Sequence, residues 1–491
     1  MKHLKNNIIK LSYGLVFCLF PFVGYSQVDS LKKEFQEEFD SFFQSIQQDF
    51  DSFQSKNDSI FIQFLGQSWK TFEAFISESG MKPKPKEQPV REKSEFHPQP
   101  IKPGNIHIPM DATIQEREKT ENMDEDDPFG NYYDPPSLTI DFYGSDIEII
   151  PPKETLPRLQ QVSPLYFIEF FEQAANSSVL SRNIERLQKQ AVEMKLNDWG
   201  LICLFKKAAE GMFQDQNEQT LFIWFGLLRC GYNVKTGYDN NRVYLLAPSS
   251  LDLYNTIYFN INGKIYFLLK LDGKNVDVKN LSAYEADYPG NEKPISLIIK
   301  ELPDIKPKII ERTVRFKQDM TFEIDQNLVD FFSNYPECDL MVSWTTPLSE
   351  TAINSIKSAV QQAISGLNET QIVEYLLKFI QYGFPYKADE EQFGNENYLF
   401  PEEALFYPFS DCEDRAVLFA RLVEYFTGFQ SIALCYPDHV TTAVNLPGEI
   451  NGSYIDYKGQ RYFICDPTYI GAEIGMSMPE YENVEPELIV Y

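Results

Sequence analysis

Three residues of this 491-residue chain have the types and order that nucleophilic acyl chemistry uses: Cys412, His439 and Asp466. The run Ser410-Asp411-Cys412-Glu413-Asp414-Arg415-Ala416 opens a predicted helix. Its apolar stripe is Ala416, Phe419, Leu422, Val423 and Phe426, and Gly428 is its stop signal. A thiol in the first turn feels the positive end of the helix dipole, which favours the thiolate. Asp411, Glu413 and Asp414 oppose that charge, so the dipole alone is not enough and a neighbouring imidazole is required. The chain has four histidines: His3, His97, His107 and His439. His3 lies in an N-terminal apolar leader, and His97 and His107 lie in a proline-rich stretch too mobile to hold a base in place. That leaves His439, at the head of the strand pattern His439-Val440-Thr441-Thr442-Ala443-Val444. A second strand pattern, Arg461 to Cys465, ends at Asp466-Pro467, where the proline biases Asp466 to an extended conformation. If the two strands pair antiparallel, His439 and Asp466 meet at one end of the sheet, and Asp466 orients the imidazole. The blander readings are a buried helix cysteine, a satisfied strand histidine and a turn-forming aspartate, and together they must explain three residues in the right order.

The pieces D-C-E-D-R-A, D-H-V and I-C-D-P-T-Y resemble the transglutaminase-like superfamily of papain-like folds, over about residues 350–480. The resemblance implies a cysteine-dependent acyl transferase or hydrolase with a Cys412–His439–Asp466 triad. In such an enzyme Cys412 attacks an amide or ester carbonyl of a protein or peptide, and water or an amine resolves the thioester. Hydrolysis, as by a peptidase or amidase, is the favoured fate; protein cross-linking is the alternative, and a non-catalytic scaffold or binding protein is the alternative of another class. The interval from His439 to Asp466 is longer than the family pattern leads one to expect. The backbone N–H of Cys412 is one natural oxyanion donor, and Gln392 is the side-chain candidate for the second. Tyr398 and Phe400 are candidates to line the acyl groove. No cofactor is implied. No metal is implied either, because the cysteines lack CxxC spacing and no calcium-loop pattern is visible.

The elements that must position these residues give an α+β class with several parts. Residues 1–26 read as a signal peptide: Lys2, Lys5 and Lys10, an apolar run from Leu11 to Val23, then Gly24-Tyr25-Ser26. This implies a secreted or periplasmic protein with no integral membrane domain once the signal is removed. Residues 27–80 read as an amphipathic helical segment, with Phe35, Phe39, Phe42, Ile46, Phe50 and Phe53 on one face and a second run from Ile60 to Ile76. Residues 81–136 read as a disordered proline-rich linker, 137–290 as an α/β region, 291–349 as a β-rich connection and 350–491 as the catalytic domain. The net charge of −28 excludes nucleic acid as a main partner. Oligomeric state is not legible.

The middle of the chain echoes its end. The segment Asn217 to Gly231 aligns with the helix that ends at Gly428, and Gly263 to Leu268 with Gly459 to Ile464. That register sets Asp215, Arg242 and Lys270 against Cys412, His439 and Asp466. The expectation is a degenerate transglutaminase-like repeat without the chemistry. The competing expectation is that any helix ending at glycine ahead of strands gives this pattern.

Overall fold

The computed structural model describes residues 52–67, 69–77, 85, 87–91, 98–108, 137–151, 156–271 and 276–490. The leader, most of the 27–80 segment, His97 and the acidic run 124–127 lie outside the described residues. The chain divides into two compact units, Met1–Gln63 and Phe64–Tyr491. Of the first, residues 52–63 are described and are helical. The second is mixed α and β, with two mainly antiparallel seven-stranded sheets.

The first sheet combines β1 (Trp69–Glu73) and β2 (Phe75–Ile76) with β7 (Lys235–Asp239), β8 (Arg242–Ala247), β9 (Ile257–Ile261), β10 (Lys264–Leu269) and β11 (Asn280–Tyr284). Its order is β1-β11-β7-β8-β10-β9-β2. The second combines β3 (Pro100–Ile101) and β4 (Ile106–His107) with β14 (Ser431–Cys435), β15 (Val440–Asn445), β16 (Tyr454–Tyr457), β17 (Gln460–Cys465) and β18 (Glu487–Ile489). Its order, from the other edge, is β4-β18-β14-β15-β17-β16-β3. Two hairpins stand apart: β5 (Leu138–Phe142) with β6 (Ser145–Ile149), and β12 (Ile309–Phe316) with β13 (Gln318–Asp325).

Three sequence readings need correction here. The helical run expected to reach Ile76 stops at Leu65, and Gly66-Gln67 turns the chain into β1. Trp69 then packs on Phe167, Tyr238 and Tyr284, so its aromatic surface is used by the sheet and not by a helix face. The 81–136 segment is also not wholly linker. Residues 98–108 supply β3 and β4, both pairing parallel with the second sheet. Prolines permit this because they stand at an edge or at a strand start, as Pro100 does, where no ladder N–H is needed. His107 therefore lies on a strand, 3.3 Å from Glu487. The 291–349 region is less β-rich than expected, since helices Gln326–Phe332 and Met341–Thr345 follow the β12–β13 hairpin.

The helix expected at Cys412 spans Cys412–Thr427, with Gly428 at φ 72° as its cap. It lies along β14 and β15. Leu418, Phe419, Leu422 and Val423 pack with Val444, Phe463 and Cys465 on one face of the sheet. The other face, with Ala443, Ile455, Tyr462 and Ile464, is covered by Tyr469, Ala472, Met478 and Tyr481 of the segment that leads from β17 to β18. The long His439–Asp466 interval is explained by topology. After β15 the chain crosses to the far position, forms β16, and returns through the Lys458-Gly459 turn to lay β17 between them.

The covering segment is fixed to β16 by a crossing of two glycines. A methyl group built on Gly452 would lie 2.5 Å from the Cα of Gly475, closer than any side chain tolerates. Ser453 N–H donates to Gly475 O at 2.7 Å beside this crossing. Gly452→Ala is expected to cost about 1–3 kcal/mol through overpacking. A urea midpoint that falls at unchanged slope checks this.

Candidate active site

Cys412, His439 and Asp466 come to one end of the second sheet and are buried to 0%, 0% and 1% exposure. Cys412 is the first residue of its helix, after the N-cap Asp411. It shares a buried cluster with Cys435 and Val440, the two residues that close the β14–β15 ladder on either side of the His439 turn. His439 sits directly before β15 and Asp466 directly after β17, and these strands pair antiparallel with Thr442 opposite Cys465.

The imidazole and the carboxylate are in contact. His439 Nε2 lies 2.9 Å from Asp466 Oδ2. The other oxygen, Oδ1, accepts from the backbone N–H groups of Thr468 at 2.9 Å and Tyr469 at 3.1 Å. With Asp466 acting as acceptor, Nε2 carries the proton and Nδ1 is the basic nitrogen. Nδ1 is buried and has no hydrogen-bond partner. The Tyr481 ring stacks on the imidazole, with centroids 5.3 Å apart and planes 11° apart, and its hydroxyl donates to Asp438 at 2.8 Å. Burial, then the Asp438 contact, holds the Tyr481 hydroxyl far above the ordinary phenol range.

The thiol points elsewhere. Cys412 Sγ donates to Glu413 Oε2 at 3.0 Å. Glu413 belongs to a buried acidic group: ligand-type atoms of Asp389, Asp411 and Asp414 lie within 4.8 Å of one another, as do those of Asp389, Glu396 and Glu413. That spacing is one a hard cation could take, and protons offer the same neutralisation. Burial, reinforced by Asp414 and then Glu413, pushes Asp389 up to about 10, so it holds a proton at neutral pH. Burial pushes Glu403 up to about 8. Asp414 instead serves the backbone, accepting from Leu399 N–H at 3.0 Å and from Asp411 N–H at 3.2 Å.

Two buried side chains that sequence reasoning missed support Asp466 from behind. Gln381 donates to Asp466 O at 3.0 Å and to Ala472 O at 3.1 Å. Its signal was visible: it stands four residues after Leu377 on an apolar stripe, where a polar residue needs partners. Arg415 donates to Ser410 Oγ at 3.3 Å, to Pro467 O at 3.5 Å and to Phe384 O, tying the Cys412 helix to the residue after Asp466. Loss of solvent lowers its guanidinium to about 10. The proline-rich segment reaches the same place, where Gln88 Nε2 donates to Gln381 O at 3.2 Å and Thr468 O at 3.0 Å.

Gln392 ends a short helix, Asp389–Gln392, whose first residue enters the acidic group. Both polar atoms of its amide are buried without a hydrogen-bond partner. Cys465 faces the core, opposite to Asp466, and all six cysteines of the described chain are thiols. Among the described residues no helix is long and apolar enough to cross a membrane. No family model, curated protein or solved structure matches the chain.

Asp389 couples this site to stability. Its folded pKa of about 10 stands above the 3.8 of an ordinary aspartate, so folding retains a proton that the unfolded chain releases. The contribution of Asp389 to stability is thus full below pH ~4 and is lost progressively as pH rises towards ~10. Asp389→Asn keeps an acceptor for the Asn397 N–H and removes the titration. Its Tm is expected to fall less than that of the parent chain between acid and alkaline pH, as a calorimetric pH series would show.

Proposed function

We propose that the protein is a secreted or periplasmic cysteine enzyme of the transglutaminase-like type, acting on protein or peptide amides with hydrolysis as the main outcome. The observation that carries this reading is His439: Nε2 is engaged by Asp466, Nδ1 is buried and unengaged, and the next residue, Val440, shares a buried cluster with Cys412. An imidazole held in that tautomer is prepared to accept a proton on Nδ1.

In this reading the Cys412 side chain rotates from Glu413 towards His439, and the S–H proton passes to Nδ1. The thiolate sulfur attacks the carbonyl carbon, and the oxyanion is met by the Cys412 backbone N–H and the Gln392 amide. Collapse breaks the C–N bond, and Nδ1–H protonates the departing amine, leaving a thioester on Cys412. Water then gives a proton to Nδ1 and its oxygen to the acyl carbon. The C–S bond breaks and the proton returns to sulfur. An amine in place of water would make the same intermediate a cross-linking one. Asp466 stabilises the imidazolium throughout. Tyr481 covers the imidazole, so substrate entry requires its ring to move.

A second reading, a non-catalytic scaffold, is favoured by the complete burial of Cys412 and by the Glu413 contact, since a carboxylate beside sulfur disfavours the thiolate. The two readings part on reactivity. Iodoacetamide is expected to alkylate Cys412 faster near neutral pH than it alkylates an unperturbed thiol, and His439→Ala should remove the advantage. Glu413→Gln is expected to raise the rate several-fold by removing the opposing charge. Casein incubated with a labelled amine separates the fates of the acyl group: new small peptides mark hydrolysis, incorporated label marks transfer, and Cys412→Ala abolishes both. A Cys412 rate no higher than that of a free thiol, with neither product formed, supports the scaffold.

A further inference from the structure

The segment that leads from β17 to β18 carries Tyr481, whose ring lies beside both reacting groups. The ring stacks on the His439 imidazole with centroids 5.3 Å apart, and the Tyr436 ring stacks against it at 4.5 Å. Burial first, then Asp438 and Glu480, and last the nearby Cys412 sulfur hold its hydroxyl above the ordinary phenol range. Tyr481 keeps 7% exposure, whereas Cys412 and His439 keep none. Of the three it is the one in contact with solvent.

The stretch around Tyr481 is held largely from far away in the chain. Among the described residues, three hydrogen bonds join 476–486 to parts of the chain outside the covering segment. One is the Tyr481 hydroxyl to Asp438. The other two come from the N-terminal segment. Gln99 Nε2 donates at 2.9 Å to the carbonyl of Glu482, the residue after Tyr481, from 383 positions earlier. Gly104 N–H donates to Pro486 O at 2.8 Å, and a methyl group on Gly104 would lie 3.0 Å from that oxygen. Gln99 is itself fixed to the sheet, since its N–H donates to Ser453 Oγ at 3.2 Å and its carbonyl accepts from Tyr454 N–H at 3.3 Å. Ile101, 5% exposed, enters the same apolar cluster as Tyr481 and Met478.

These holds are separable from the sheet. β3 and β4 are two residues each, stand at the two edges and pair parallel, the less stable pairing. The five strands β16-β17-β15-β14-β18 form a continuous antiparallel ladder without them. The covering segment also has a fixed point of its own at Gly475, φ 85°, whose carbonyl accepts from Ser453 N–H at 2.7 Å. We propose that residues 98–108 are an autoinhibitory clasp, which holds Tyr481 closed over His439 while docked and, once withdrawn, lets 476–486 swing about Gly475 and open the site. The clasp acts as inhibition only if Cys412 is the nucleophile, and to that extent it rests on the proposed function. Its occupancy of the sheet edges then sets how often Cys412 and His439 are open to a substrate.

Iodoacetamide alkylation of the full chain, read peptide by peptide by mass spectrometry, tests this. Gln99→Ala is expected to speed alkylation of Cys412 by about tenfold, the shift in a two-state equilibrium that one lost hydrogen bond produces. Gly104→Ala, which crowds Pro486 O, is expected to act in the same direction. Tyr481→Ala is also expected to speed it, and Gln99→Ala should then add nothing further, because both act through one cover. Parent-like rates in both clasp variants overturn the proposal, whatever casein shows. Rates that multiply in the double variant overturn it, since Gln99 then acts elsewhere than through Tyr481. Alkylation of the core thiol Cys465 that rises in step with Cys412 overturns it too, because the variant has then loosened the whole sheet. Faster Cys412 alkylation with no product from casein keeps the cover and removes the enzyme reading. Products from the parent with unchanged alkylation in the variants do the reverse.

Discussion

A carboxylate removed from water must have its charge met by donors, and Asp466 meets that demand on every side. One oxygen takes the imidazole of His439, the other takes two backbone N–H groups, and its own carbonyl is held by Gln381. The position of the β17 end, the path of the covering segment that begins there and the tautomer of His439 all follow from this. Arg415 extends the constraint to the Cys412 helix through Pro467, so helix and strand ends are registered by hydrogen bonds as well as by packing. The arrangement couples the orientation of the base to residues from the helix Glu369–Gly383, the Cys412 helix and the proline-rich segment.

Around the thiol the electrostatics run against reactivity. Several buried carboxyl groups share a small volume, and they coexist because burial makes the neutral acid the cheaper form, as at Asp389 and Glu403. The Cys412 sulfur is hydrogen-bonded to Glu413 and not to Nδ1 of His439. The Tyr481 ring stacks over the imidazole, which has no exposed surface. An acyl-transfer enzyme gains from such closure, because water reaching the thioester decides between hydrolysis and transfer.

The N-terminal segment has a structural role that its composition conceals. β1 and β2 close the two edges of the first sheet, antiparallel to their neighbours, and β3 and β4 close the two edges of the second, parallel to theirs. Exposed sheet edges invite pairing with other chains, and here the chain fills its own edges. The five strands β11-β7-β8-β10-β9 repeat the order β18-β14-β15-β17-β16, but the donated edge strands are exchanged, with β1 beside β11 and β3 beside β16, the counterpart of β9.

The sequence by itself determined the local frame: the helix opened at Cys412, the strands that begin after His439 and end before Asp466, and the mixed α and β class. These follow from capping, periodicity and turn chemistry, which act over a few residues. The meeting of His439 with Asp466 was also legible, because antiparallel pairing of two successive strand patterns leaves little choice of end. Tertiary structure alone decided that Trp69 and Phe72 belong to a strand, that Pro100 to His107 line a sheet, that Gln381 and Arg415 brace Asp466, and that the acids around Cys412 are buried. Those outcomes depend on which edge or cavity a distant segment fills. An acidic residue in a first helical turn reads the same in sequence whether solvent or Asp389 lies beside it.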